Sequence, residues 1–404
     1  MVKDIQIKDF NYPLKEEKIA KFALQKRDEA KLLCFNGTTI EDKIFKQLPY
    51  ILDSNTLLIF NDTKVVYARL FFKKPTGSTI EIFCLEPITP NDFQLAFYQT
   101  GTTTWKCLIG NNKKWKDGIL SQTKTINGKA VTLNAKRLYN ENESWAVEFS
   151  WDKDFSFAEI MQHFGVIPLP PYLNRQSEEQ DKQDYQTVYA HFNGSVAAPT
   201  AGLHFTDKTF EDLKLRNIKT DFITLHVGAG TFKPVTTETI GGHIMHTEKI
   251  TIAKHVIENL LNYIDKEIIC VGTTSVRTIE SLYWFGVDLI ENGKTYSEID
   301  IKQWYPYENH KHITTKESLT AILDMLNNNN MQSVYGQTQL IITPQYEYKI
   351  VKGMVTNFHQ PKSTLLLLVS AMIGEDWKKV YLHAMENNYR FLSYGDACLF
   401  RKKQ

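Results

Sequence analysis

The chain has 404 residues, more than the roughly 250–300 that a single hydrophobic core accommodates, so at least two domains are expected. Basic side chains (47) nearly cancel acidic ones (46), which argues against a globally basic nucleic-acid binder and leaves only a local patch. Five scattered cysteines without a C-x-x-C pair argue against a disulfide framework or zinc ribbon, and no apolar stretch approaches the ~18 residues of a membrane span, so a cytoplasmic location is expected.

In chain order, residues 16–24 carry a helical pattern that leads into an extended KLLCF run. Residues 57–61 and 65–70 read as strands around an Asn-Asp-Thr turn. From 70 to 150, short β-type runs (TIEIFCLEP, FQLAFYQ, WKCLIG, AVTLNA, WAVEFS) alternate with turn clusters, the pattern of a small antiparallel barrel or sandwich. Residues 93–140 hold eight basic side chains against one acid, Asp117, with Trp105 and Trp115 between them. That composition points to a phosphate-docking surface with stacking rings, or to a solvated lysine-rich face.

A helix is expected over 157–164, then a rigid Pro-rich segment, an acidic loop at 178–184, and a β/α rhythm. The rhythm runs through a helix (207–216), a strand (221–227) closed by Gly228-Ala229-Gly230, a helix (253–264), a strand (267–271) and a helix from about 275 to 285. Residues 288–338, with a helix at 316–326, read as a surface excursion. A strand (349–358) then feeds an apolar helix that ends at Gly374.

Ligand sites of α/β folds gather beyond the carboxyl ends of strands, where helix starts offer unpaired N–H groups. Gly272-Thr273-Thr274-Ser275-Val276-Arg277 is such a junction, able to hold a carboxylate, phosphate or ribose, or simply to cap a helix. Asn357-Phe358-His359-Gln360-Pro361-Lys362 is a second. Gly228-x-Gly230 lacks the third glycine of a dinucleotide fingerprint, since Lys233 stands there. His243-x-x-His246-x-Glu248 lacks a third ligand at metal spacing, and no metal site is expected.

The strings VAAPTAGLHFT (196–206), ITLHVGAGTFKPV (223–235), HIMHTE (243–248), VGTTSVRTIES (271–281), VTNFHQPKSTLLLLVSAMIG (355–374) and YRFLSYGDA (389–397) occur in this order. FNDTKVVYARL, GSTIE, PLPPY and YQTVYA extend them over most of the chain. Together they closely resemble the S-adenosylmethionine:tRNA ribosyltransferase-isomerase family of queuosine biosynthesis. The resemblance implies an α/β catalytic domain (1–69 and 151–404) with an inserted small antiparallel β-barrel (70–150). It further implies transfer of the ribosyl part of S-adenosylmethionine to 7-aminomethyl-7-deazaguanine at the tRNA wobble position, yielding an epoxyqueuosine product, adenine and methionine. S-adenosylmethionine would be consumed as a substrate, with no metal or bound cofactor required, and the protein would act as a monomer on the tRNA anticodon arm without a membrane partner.

On that resemblance His204, Asp396 and His359 are the candidates for proton handling. Thr273, Thr274 and Arg277 would hold the methionine carboxylate or a tRNA phosphate, with Lys362 as a further anion contact. Thr200, Gly202, Gly228, Ala229 and Gly230 would line the nucleoside pocket, and Lys113, Lys114 and Lys116 would meet tRNA. The sequence departs from the family pattern at Lys64 and Tyr67, which replace the usual arginine and proline, at Gln345, which replaces a glycine, and at Lys352, which replaces an acid. These departures leave two alternatives open: a diverged enzyme that uses the same donor on another acceptor, and a non-catalytic RNA-binding protein on the same scaffold.

Overall fold

A computed structural model describes residues 2–141, 143–152, 154–228 and 235–402. Its runs of β-branched and aromatic residues form two large sheets. The first has ten strands in the order Ile299–Ile301, Ser333–Thr338, Glu248–Ala253, Lys219–His226, Thr56–Asn61, Glu267–Val271, Gly353–Asn357, Ala397–Arg401, Lys31–Phe35 and Ile40–Ile44. Its centre, from Lys219–His226 to Gly353–Asn357, is parallel, and antiparallel strands flank it on both sides. A parallel strand is covered on both faces, which explains why LLIF and IICV are unbroken apolar runs and why Thr56–Asn61 is buried at every position.

Helix Thr273–Glu291 covers one face and is buried along almost its whole length. Helix Thr315–Asn328 packs on it at Gly286, where a Cβ would come within 2.2 Å of Ser318 Oγ, so only glycine permits the approach. On the other face Phe60, Phe205, Phe210, Phe222 and Tyr189 pack edge-on and stacked, with helix Asp207–Leu215 behind them.

The second sheet is antiparallel, in the order Gly165–Val166, Arg69–Lys73, Thr79–Thr89, Thr102–Gly110, Ser144–Ser150, Lys129–Glu141 and Leu120–Ile126. Register shifts at Cys84/Glu86, Pro87/Thr89 and Ala146/Val147 add twist, and the sheet curls into a half-barrel. Helix Phe157–Phe164, started by a reciprocal Ser156–Glu159 cap, fills the curl with Phe157, Ile160 and Phe164. The expected α/β fold with a small antiparallel β-barrel unit is present, the barrel as a half-barrel rather than a closed cylinder.

Four local readings need correction. The run FQLAFYQ, expected as a strand, forms the helix Phe93–Tyr98, started by the Asp92 carboxylate, which accepts the Leu95 N–H at 2.9 Å. Residues 16–24 form only the 3-10 turn Glu16–Lys18, because the backbone there pairs with Phe391 (Ala20 N–H to Phe391 O, 3.2 Å; Phe391 N–H to Lys18 O, 2.8 Å), a tertiary pairing that overrides helix propensity. The 288–338 segment is no surface excursion. Its strands extend the large sheet, and Leu319, Ile322, Met325, Leu326 and Val334 lie in the main core. Trp105 and Trp115, read as stacking rings, are both buried inside the half-barrel, with their indole N–H groups bonded to Thr103 Oγ1 (3.2 Å) and the Gly118 carbonyl (3.1 Å). Trp105 falls on the inward side of strand Thr102–Gly110 by alternation, whereas Trp115 lies in the loop after the 3-10 turn Asn112–Lys114 and folds back onto the half-barrel core. Among the described residues no helix is long and apolar enough to cross a membrane.

Candidate active site

The four central strands are parallel, so their carboxyl ends share one edge of the large sheet. Beyond that edge the segments 197–201, 272–274, 356–360 and 392–393, with Val227, Tyr172 and Tyr185, line a single cleft of about 100 Å³. Five of the six ordered strings therefore meet there. The sixth, 243–248, stands one layer back.

Gly272 makes the sharpest turn in the site. At φ 91° and ψ 144° it occupies a region open almost only to glycine, and its N–H donates to Val355 O at 2.8 Å. Helix Thr273–Glu291 begins immediately after, with no side chain capping it, so its first N–H groups and positive dipole end stand beside Thr273 and Thr274 at the cleft wall. Ser275 instead bonds back to Val271 O at 2.7 Å and locks the junction.

His359 lines the cleft, and its Nε2 lies 2.9 Å from Thr356 Oγ1. Burial depresses it to about 3, so it is neutral at physiological pH. Thr200 donates from Oγ1 to Asn357 Oδ1 at 3.2 Å, while the Asn357 amide faces His204 Nε2 at 3.2 Å and the Leu392 carbonyl at 3.2 Å. His204 thus stands behind Asn357, outside the cleft lining, and burial followed by nearby Arg390 lowers it to about 3.

Other expected site residues are placed elsewhere. Asp396 accepts Lys31 N–H (3.0 Å) and Arg390 N–H (2.7 Å), one on each carboxylate oxygen, and thereby pins the 390–396 turn. Arg277 is buried in an ion pair with Glu248 (2.7 Å) and donates to Leu340 O (3.0 Å), so it ties 243–248 to the long helix instead of meeting the cleft. Glu248 also lies 3.1 Å from His246, so the His-x-x-His-x-Glu string serves this pairing. Lys362 is exposed beyond the cleft. Gly202 gives room to Tyr189, whose hydroxyl would lie 1.9 Å from a Cβ there. Gly228 follows cleft-lining Val227, whereas Ala229 and Gly230 lie outside the described residues.

A family model described as queuosine biosynthesis protein matches residues 7–400. This chain belongs to the queuosine biosynthesis protein family. It is 35% identical over 401 residues to the S-adenosylmethionine:tRNA ribosyltransferase-isomerase of Halothermothrix orenii, covering 98% of this chain and 99% of that one. It is 36% identical over 404 residues to the protein of the same name from a Sulfurihydrogenibium species, again covering 98% and 99%. A crystal structure of S-adenosylmethionine tRNA ribosyltransferase from Thermotoga maritima aligns over 97% of this chain and 99% of that one, at 26% identity and a TM-score of 0.46.

In this queuosine biosynthesis family member, sequence reasoning gave no role to Asn357, Tyr172, Tyr185 or Ser393, although Asn357 opens the second junction named above. Tyr172 and Ser393 share a hydrogen bond at 2.6 Å, and burial pushes the Tyr172 phenol up to about 12. Both tyrosines sit in quoted strings, PLPPY and YQTVYA, but both are in irregular segments where no periodicity states which way a side chain turns. Among the described lining residues none is Lys, Arg, Asp or Glu. The cleft offers hydroxyls, two amides (Asn357 and Gln360), a neutral imidazole and a helix start.

Proposed function

We propose that this chain transfers and isomerises the ribosyl moiety of S-adenosylmethionine onto 7-aminomethyl-7-deazaguanine at the tRNA wobble position, giving epoxyqueuosine-tRNA, adenine and methionine. Membership of the queuosine biosynthesis family and full-length likeness to ribosyltransferase-isomerases support the reaction. The convergence of five distant strings on one cleft at the strand ends supports the site. The sulfonium beside the ribose C5′ acidifies that carbon, so one positioned base suffices to begin the rearrangement. The donor carries its own leaving groups, which leaves the protein to position, exclude water and move protons.

His359 is the proton acceptor in this reading because it lines the cleft, and donor binding must offset the burial that makes its imidazole a weak base in the empty cleft. Thr273, Thr274 and the first-turn amides receive the methionine carboxylate. Thr200 and Asn357 hold the nucleoside side, and His204 orients Asn357 from behind as a positioning residue. Asp396 keeps the 390–396 turn in place and takes no part in proton transfer.

The tRNA contact in this reading is the outer tip of the half-barrel. Lys74 Nζ donates to Lys114 O at 2.7 Å and Arg137 to Lys116 O at 2.6 Å, so the hairpin end and the 111–119 loop form one basic knob with Lys73 and Lys113. Strand Thr102–Gly110, about 30 Å long at ~3.3 Å per residue, leads into that knob. Incubation with S-adenosylmethionine and tRNA bearing 7-aminomethyl-7-deazaguanine should release adenine and methionine and shift the nucleoside mass. Adenine release only with some other acceptor would overturn the proposed acceptor.

A further inference from the structure

Three consecutive alternate residues, Tyr185, Thr187 and Tyr189, each bury a hydroxyl that makes no hydrogen bond. Of the three, Tyr185 lines the cleft. Its ring is fully buried and stands edge-on to Tyr394 at 5.9 Å, with the hydroxyl sealed just beneath the cleft surface. Ser393 and the Ala198 backbone lie near enough to bias its ionisation, yet neither meets hydrogen-bond geometry with it, and the Ser393 hydroxyl is engaged by Tyr172. Burial pushes the phenol well above its ordinary range, so it stays protonated and can only donate or accept as a neutral group.

A buried hydroxyl without a partner is a cost to the unliganded fold, since a phenylalanine would pack equally well without it. Such a group persists at a ligand cleft when the ligand supplies the partner. Tyr172, Tyr185 and Ser393 form one side of the cleft, and the helix start at Thr273 and Thr274 supplies a separate anion-receptive side. The amino-acid end of the donor, with its carboxylate, takes the helix start, which leaves the tyrosine side to the nucleoside end.

We propose that the Tyr185 hydroxyl is a substrate-contact group that hydrogen-bonds the nucleoside half of S-adenosylmethionine. The assignment rests on the donor proposed above. It predicts opposite signs for stability and binding, a combination that a structural tyrosine does not give.

The test is Tyr185→Phe, followed by apo thermal unfolding and by calorimetric titration with S-adenosylmethionine, adenosine and methionine separately. The expected result is an apo Tm equal to or above that of the parent, with affinity for S-adenosylmethionine and adenosine about tenfold weaker and that for methionine unchanged. Undiminished adenosine and S-adenosylmethionine affinity in Tyr185→Phe, with the parent binding normally, would overturn the inference alone. A lowered apo Tm would also overturn it, because the hydroxyl would then have an internal partner. If the parent protein binds no S-adenosylmethionine, the proposed function falls and this inference falls with it.

Discussion

His359 couples the cleft wall to the pH dependence of the fold. Its ring is buried at the cleft wall and neutral in the fold, depressed to about 3, whereas an unfolded histidine titrates near 6.5. Between those values the unfolded chain binds the extra proton, so the His359 contribution destabilises the fold progressively as pH drops from about 6.5 towards 3. Replacement by glutamine removes that linkage. The Tm difference, His359→Gln minus parent, should therefore grow more positive as pH is lowered from 7 to 4 in a series of thermal scans; a constant difference would show that the imidazole is not held neutral. At pH 7 the same variant should lose catalytic rate by about 10²–10⁴, measured as adenine release, if the imidazole accepts a proton in the reaction. His204 shares the depressed titration but stands behind Asn357, so His204→Gln should raise KM more than it lowers kcat.

At the scale of elements, the cleft depends on two anchoring points, one in its lining and one away from it. One is Gly272, whose positive φ turns Glu267–Val271 directly into the long helix. A Cβ there would meet only Thr274 Oγ1 at 3.6 Å and Ala201 Cβ at 3.9 Å, ordinary contacts, so the penalty is backbone strain and not a clash. Gly272→Ala should cost about 1–3 kcal/mol in urea unfolding and reduce kcat/KM by displacing Thr273 and Thr274. The other is Glu280, fully buried on the same helix, which accepts Tyr346 OH (2.6 Å) and the N–H groups of Lys349, Ile350 and Val351 (2.9, 2.9 and 2.8 Å). It anchors the loop that feeds Gly353–Asn357 and hence Asn357 and His359. Glu280→Ala strands several buried donors and should destabilise by roughly 3 kcal/mol or more. Tyr346, which bonds this carboxylate, follows Gln345, the position where the sequence loses the family's glycine.

Across the whole molecule the two sheets divide the work in the proposed function. The parallel centre of the large sheet gathers its strand ends at a neutral cleft, and the half-barrel carries the basic knob. Reversing Lys113, Lys114 and Lys116 to glutamate should raise KM for tRNA by at least tenfold and flatten its salt dependence, with S-adenosylmethionine affinity unchanged. Unaltered tRNA kinetics would remove the knob from the interface. Because the tip lies on exposed loops, these substitutions should leave Tm nearly as it was.

The sequence by itself determined the fold class, the β/α rhythm from 207 to 285, the curled β unit and the strings that meet at the cleft. Periodicity, turn residues and long ordered motifs are local signals, carried by neighbouring residues. Only the tertiary structure decided which motif side chains face the cleft. Arg277 and Asp396 looked like chemistry because they sit in motif strings, but burial against Glu248 and against two backbone amides engages them elsewhere. Tyr185 carried no local signal and Asn357 only its place at a strand-to-helix junction, since the direction of each side chain is set by partners between 35 and more than 200 residues away. The inward turn of Trp105 on its strand and of Trp115 in its loop has the same cause: which side chains become core is settled when other elements cover them.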